Sequence, residues 1–340
     1  MLELRKKIRK LKKIFYPRAV ILMYHRIGPA EVDPWQLAVS EEHFEAHLLY
    51  LQKKNFVIPL PQLVAELKEG HIRKKCVAIT FDDGYLDNYQ NALPLLKRYN
   101  LPATFFITSK NIDTSEEFWW DELENIFLQT AVLPEFFSGE INGEKIEFLL
   151  GADAVLTDQM RVLHKHYYAY GPGTKRTDLY CRIWEILSPL PAAMQSAAME
   201  KIRIWSGINP AARNAYTCMN SGNVSAIAQD KLFEIGGHTK THPALASHGK
   251  NVQEAEIIDN ITFLEKITGN KISLFAYPSG KFNEATLDIL SSLHIDGAFV
   301  TKERTVSPKS NLLTLGRFQV NDWNAEEFHK KISRWFEYED

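Results

Sequence analysis

With 340 residues, 45% of them apolar and 11% aromatic, the chain can bury a sizeable core in one large domain or two. Its 40 Lys and Arg against 42 Asp and Glu leave a formal charge of −2, which excludes a general nucleic-acid binder that draws its affinity from phosphate neutralisation and favours a neutral or weakly charged ligand. Cys76, Cys181 and Cys218 are odd in number and widely spaced, so neither a disulfide framework nor a cysteine metal site is expected, and a reducing compartment fits.

Residues 1–18 set Arg5, Lys6, Lys7, Arg9, Lys10, Lys12, Lys13 and Arg18 against Leu4, Ile8, Leu11 and Phe15 at helical spacing, a basic amphipathic helix. It reads either as a solvated helix packing its stripe on the domain or as an interfacial helix drawn to anionic lipid, which would make a membrane its peripheral partner. No run reaches the length of a membrane span, and no apolar signal region follows the basic cluster, so a cytoplasmic address is expected.

A first strand, residues 19–25, ends in His25 before the Gly28-Pro29 turn. Ser40 opens a helix to about Lys54 with Phe44, Leu48 and Leu51 on one face; a short strand at 56–58 and a short helix at 63–68 follow. Residues 76–81, rich in β-branched and apolar side chains, form a buried strand that stops at Asp82-Asp83-Gly84, where the glycine lets the chain turn away. Residues 87–98 read as a helix and 102–107 as the next strand. From about residue 110 to 222 the rhythm changes to longer helical patterns, including 157–168 and 174–187, punctuated by Gly171-Pro172-Gly173 and Pro189-Leu190-Pro191. Residues 111–224 are therefore expected to form a mainly helical insertion in one βα loop. Alternation resumes with a strand at 232–238, a helix at 252–268 ended by Gly269, strands at 272–277, 297–301 and 312–318, and a helix at 284–293. Seven or eight strands alternating with helices favour a closed or nearly closed parallel barrel, built from residues 19–110 and 225–340, over an open doubly wound sheet. No glycine-rich phosphate loop occurs.

Strand ends on one edge of such a barrel are where sites are built. His238 and His242, four apart after a strand, can converge if the segment turns helically, and with one carboxylate they make a three-ligand set suited to Zn2+ and compatible with other divalent ions. Open positions in that set point to water and hydrolysis. Asp82 and Asp83, adjacent on an extended strand, point to opposite faces, so one is expected to ligate and the other to handle protons. Phe118-Trp119-Trp120-Asp121 reads either as an aromatic platform for a sugar ring or as core joining insertion to barrel. His43, His47, His164 and His166 lack a strand-end carboxylate and are assigned no function.

Thr80-Phe81-Asp82-Asp83-Gly84, His238-Thr239-Lys240-Thr241-His242-Pro243 and Phe275-Ala276-Tyr277-Pro278-Ser279-Gly280 resemble the first three motifs of the polysaccharide deacetylase family (NodB homology, carbohydrate esterase 4). They occur in family order, and the resemblance spans roughly residues 19–110 and 225–320. It implies a distorted (β/α)7-type parallel barrel, a divalent metal (Zn2+ first) held by Asp83, His238 and His242, Asp82 as catalytic base, and the backbone N–H of Tyr277 as donor to the tetrahedral oxyanion. The activity implied is hydrolytic removal of N-acetyl groups from an acetylated amino sugar in a polysaccharide, oligosaccharide or lipid-linked precursor, the cytoplasmic address favouring a building block. Two departures stand out. Leu274-Phe275-Ala276-Tyr277 lacks the arginine that usually orients the base, and residues 313–322 lack the histidine that usually serves as acid. Arg317 is expected to replace the first and His25 the second, against plainer roles as a surface ion pair and as a capping or bracing residue. Hydrolysis of a small non-sugar amide, and carbohydrate binding without turnover, stay open on the same residues.

Overall fold

The computed structural model describes residues 17–73, 75–169, 171–208 and 212–337. The basic helix expected over residues 1–18 falls almost wholly outside them, and Arg18 already belongs to a strand. In chain order the strands of the main sheet and of one hairpin are β1 (Arg18–Tyr24), β2 (Lys75–Phe81), β3 (Ala103–Ile107), β4 (Phe136–Ile141), β5 (Glu144–Leu149), β6 (Phe233–Gly237), β7 (Leu274–Ala276), β8 (Gly297–Phe299) and β9 (Phe318–Gln319), while two-residue strands at Arg26–Ile27 and Ala38–Val39 pair only with each other. Seven of them make one parallel sheet in the order β8-β7-β6-β3-β2-β1-β9. Because helices cover the outside and side chains fill the inside, β1 and β2 are apolar at successive positions rather than alternating, and they pair in register from Arg18 with Lys75 to Tyr24 with Phe81.

The sheet curls until its edges nearly meet. Residues 312–318, expected as one strand, instead do two jobs: Leu315 pairs with Phe299 of β8, and Phe318 pairs with Leu22 of β1. Gly316 makes the step between them, since a Cβ there would lie 2.6 Å from the Arg304 carbonyl oxygen. That step delivers Arg317, wholly buried, to the inside of the barrel. Residues 56–58, also expected as a strand, contribute a single bridge from Val57 to Val77.

The helix expected at residues 87–98 starts as a wide π turn, Asn88–Ala92, before its α segment Leu93–Tyr99. The wider turn lets Asn88 and Asn91 donate through Nδ2 to the carbonyls of His25 and Ile27, each at 2.7 Å, which pins the chain just beyond β1. Ser40 caps the helix Glu41–Lys54 as expected, accepting from His43 N, and Asn55 ends it in the left-handed conformation.

The region expected as a helical insertion also holds an antiparallel hairpin, β4 with β5, closed by Asn142-Gly143 at φ 51° and 78°. An Asn-Gly pair between short apolar runs is the type I′ signature, a signal legible in the sequence. Behind the hairpin, Leu123, Phe127, Ile146, Leu179, Ile183 and Met199 pack into a cluster of their own. Arg176 is wholly buried beside it and donates to the carbonyls of Asp153, Thr130 and Ala154, each at 2.6 Å, and of Phe127 at 3.2 Å. Arg176→Met strands these acceptors, at roughly 1–3 kcal/mol for each one left unpaired. The expected loss is therefore at least about 3 kcal/mol by urea denaturation; a midpoint equal to wild type would show that the carbonyls find other partners. Among the described residues no helix is long and apolar enough to cross a membrane.

Candidate active site

At the end of β2 the chain stays extended through Asp82, whose N–H donates to Tyr24 O, and then reverses at Asp83 (φ 72°) and Gly84 (φ 90°). Asp tolerates the left-handed region better than most residues, and the reversal turns two carboxylates that would face opposite ways toward one cavity. His238 follows β6 directly. His242 is reached through left-handed residues at Thr239 (φ 64°) and at His242 itself (φ 59°), so the two imidazoles converge through a tight bend rather than the expected helical turn. Thr239 Oγ1 accepts from His242 N and holds that bend.

The Nε2 atoms of His238 and His242 lie 3.4 and 3.5 Å from Asp83 Oδ1. Two atoms bound at about 2.0–2.1 Å in a tetrahedral arrangement would sit roughly 3.4 Å apart, so the spacing suits a single divalent ion. Asp83 Oδ1 is buried with no hydrogen-bond partner, and Nδ1 of His238 donates to Ala276 O at 2.8 Å, which fixes the tautomer that leaves Nε2 with its lone pair. Burial pushes His242 down to about 4, keeping it neutral at pH 7. At Asp83 burial works the other way, but the neighbouring histidines outweigh it and hold the carboxyl well below the usual range. His238 is pushed down by burial and lifted further by Asp83, ending above its ordinary value. Asp83, His238 and His242 thus fit a metal as a donor set.

Asp82 faces Arg317 in a buried fork, Nη1 to Oδ1 at 2.6 Å and Nη2 to Oδ2 at 2.7 Å. Arg317 also donates to Thr80 Oγ1 at 3.2 Å and through Nε to Val300 O at 3.3 Å, so its plane is set by the barrel wall. Burial would raise Asp82, yet the Arg317 charge prevails and its pKa stays below the ordinary value. The ion pair is an internal one, not the surface pair that was the plainer reading. His25 lines the same cavity as Asp82, Asp83, His238 and His242, close enough that its charge lowers both aspartates. Its carbonyl is tied to Asn88, while its Nδ1 is buried with no partner.

Tyr277 does not take the place expected of it. Its N–H donates to Phe299 O at 3.0 Å, extending the sheet, and its hydroxyl donates to Leu313 O at 2.8 Å. A backbone donor already spent on the ladder cannot also meet an oxyanion. Two residues on, Ser279 stands in the left-handed region at φ 52°, lines the cavity and lies beyond the ladder. Phe118 and Trp120 stack face to face at 4.3 Å, and Trp120 Nε1 donates to Tyr85 Oη; both Trp119 and Trp120 line the cavity. Trp35 and Trp184, which the sequence left unmarked, line it too, in a volume of about 360 Å³ that falls in the range of small-molecule sites. His43, His47 and His164 have structural partners: Asp322, Trp323 O, and Leu128 O with Thr174 Oγ1, respectively.

The model of the family described as polysaccharide deacetylase matches residues 69–129 and 211–298. YxkH of Bacillus subtilis (strain 168) is 40% identical over 94 residues, 27% of this chain and 32% of that protein. A poly-beta-1,6-N-acetyl-D-glucosamine N-deacetylase of Staphylococcus aureus (strain MSSA476) is 30% identical over 116 residues, 30% of this chain and 40% of that protein. The chain therefore spans 32% to 40% of the length of these two curated relatives. Among solved structures, the Streptococcus pyogenes deacetylase PplD in complex with acetate superposes with a TM-score of 0.54 at 20% identity, covering 93% of this chain and 98% of that one. IcaB from Ammonifex degensii does so at 0.56 and 17%, covering 95% and 98%; both likenesses establish the barrel fold.

Proposed function

Because this chain belongs to the polysaccharide deacetylase family, we propose that it hydrolyses the N-acetyl group of an acetylated amino sugar within a saccharide, releasing acetate and the free amine. The observation that carries the reading is the pairing of a base with a donor set at one cavity: Asp82 in its arginine fork beside Asp83, His238 and His242. A divalent ion, zinc first, held by those last three would supply a Lewis acid that polarises the amide carbonyl and acidifies water.

The chain's own residues do the rest. Asp82, kept ionised by Arg317, takes the proton of the attacking water as the O–C bond forms. The amide N–H of Ser279, in place of Tyr277, donates to the oxygen on which charge develops. His25 gives a proton to the nitrogen as the C–N bond breaks, so the leaving group departs as an amine. The tryptophan-lined cavity favours a sugar over a small cyclic amide.

The test is acetate release across acetylated nucleotide-sugars, lipid-linked sugars and oligosaccharides, with metal content measured in parallel. Bound metal and bound sugar without acetate would overturn turnover in favour of binding alone, and activity confined to cyclic amides would move the substrate class. Dialysis against EDTA is expected to abolish acetate release and lower the melting temperature, both restored by Zn2+, because an ion bound only by the folded state stabilises it. His25→Ala is expected to lower kcat by about 10²–10⁴-fold with metal content unchanged. Near wild-type turnover would remove His25 from the mechanism.

A further inference from the structure

Tyr85, two residues past Asp83, is tied to both ends of the segment 111–224. Its backbone bridges Cys218 where the chain returns to the barrel, flanked by hydrogen bonds from Leu86 N to Thr217 O at 2.9 Å and from Met219 N to Gly84 O at 3.0 Å. Its side chain, wholly buried, meets the outgoing end: Oη donates to Asp121 Oδ2 at 2.7 Å and accepts from Trp120 Nε1 at 3.0 Å. The chemistry of the groups sets these directions. An indole N–H can only donate, so the single proton of the hydroxyl is left for the carboxylate. Arg213 clamps the short helix Trp119–Glu124 as well, donating through Nη2 to Asp121 O at 2.8 Å and to Glu117 Oε2 at 2.8 Å, and through Nη1 to Glu124 Oε1 at 3.1 Å.

This chain of bonds ends against His242, whose imidazole lies 4.8 Å from the Trp120 ring at 53°. The two histidines of the donor set are held in different ways. His238 has a ring hydrogen bond to Ala276 O, the usual device that orients a ligand imidazole. His242 has no such bond at its other ring nitrogen among the described residues, and its side chain is the more exposed of the two, 15% against 2%. Ring contacts take the place of that bond, with Trp120 at 4.8 Å and with His238 at 4.9 Å. An indole can orient an imidazole only if the indole is itself fixed. Trp120 is fixed twice, by its stack on Phe118 and by the hydroxyl of Tyr85.

We propose that Tyr85 is a positioning residue of the metal centre: its hydroxyl, anchored on Asp121, fixes the Trp120 indole against which His242 rests, and so raises the affinity of the donor set for a divalent ion. The proposal rests on the reading of Asp83, His238 and His242 as metal ligands and not on the identity of the substrate.

Zn2+ affinity is measured by competition with a chelator of known affinity, at a temperature where every variant is folded. Tyr85→Phe, which removes one oxygen and none of the ring, is expected to weaken Zn2+ binding about 10–100-fold, the range for partners that orient ligands. In the Co2+-substituted protein the same change is expected to shift the visible absorption bands, although no ligand is altered. Trp120→Phe, with no N–H and a smaller ring, is expected to weaken Zn2+ binding by a similar factor. Adding Tyr85→Phe to it is expected to cost little more, because the hydroxyl acts through the indole. Two losses that multiply would overturn that route. Arg176→Met, whose lost bonds lie beside the Phe127 cluster, is expected to bind Zn2+ as wild type does. A matching loss there would show that affinity merely follows stability, and would overturn the proposal. So would wild-type affinity with unchanged Co2+ bands in Tyr85→Phe. Should Tyr85→Phe fail to fold, Trp120→Phe decides: weakened Zn2+ binding supports the proposal and unchanged affinity overturns it. A wild-type protein that binds no divalent ion overturns the donor-set reading itself, so the two failures are distinct.

Discussion

Arg317→Met is expected to lose about 3–5 kcal/mol of stability at pH 7, because it leaves the Asp82 carboxylate buried without its counter-charge. The pair lies wholly inside the barrel, so water cannot screen the loss as it would for an exposed pair. The pH dependence gives the change its signature. In the native protein Asp82 is held below its ordinary pKa, so its contribution is present above the unfolded value of about 3.9 and fades as pH falls through the folded one. Without Arg317 burial acts unopposed and pushes the carboxyl up, so the variant is penalised wherever Asp82 would have to ionise. The deficit should therefore be widest near neutrality and shrink toward pH 4. Urea denaturation of both proteins in EDTA, at pH 7 and pH 4, reads it directly. A deficit that is the same at both pH values would mean that lost packing, not the charge, accounts for it. Adding Asp82→Asn to Arg317→Met should return part of the stability, since the charge left unpaired is then gone.

Asp82→Asn is expected to lower kcat by about 10²–10⁴-fold while metal content stays at the wild-type level. The asparagine keeps the shape of the carboxylate but can no longer take a proton from water, and Asp82 is not among the clustered ligand atoms. Asp83→Asn should do the reverse first: metal content falls, and activity falls with it. Turnover is compared at temperatures where both variants are folded, because Asp82→Asn also leaves Arg317 short of its partner. Full metal in Asp83→Asn together with metal loss in Asp82→Asn would exchange the proposed roles of the two aspartates.

Much of this arrangement could be read in the sequence because it is local. A strand that stops at Asp82-Asp83-Gly84, and a pair of histidines directly after another strand, place ligand-type side chains at the ends of neighbouring β segments, and parallel topology then puts those ends on one edge. The hairpin around Asn142-Gly143 was equally local and equally legible. The helical rhythm on either side masks it, because two six-residue strands are too short to set a period of their own against the longer helices around them.

What the tertiary structure decided depends on distance along the chain or on the direction of one backbone bond. Arg317 and Asp82 are 235 positions apart, and their pairing follows from the Gly316 step that carries the chain from β8 back to β1. No periodicity encodes that step. The choice between Tyr277 and Ser279 turns on which amide still belongs to the sheet, a matter of where the ladder ends. Trp35, Trp119 and Trp184 come to line one cavity only when the insertion packs against the barrel. By itself, then, the sequence determined which chemistry is available, because carboxylates and imidazoles at strand ends are a local pattern. Closure of the barrel decided which arginine, which amide and which indoles meet them, because those contacts join segments that nothing in the local sequence links.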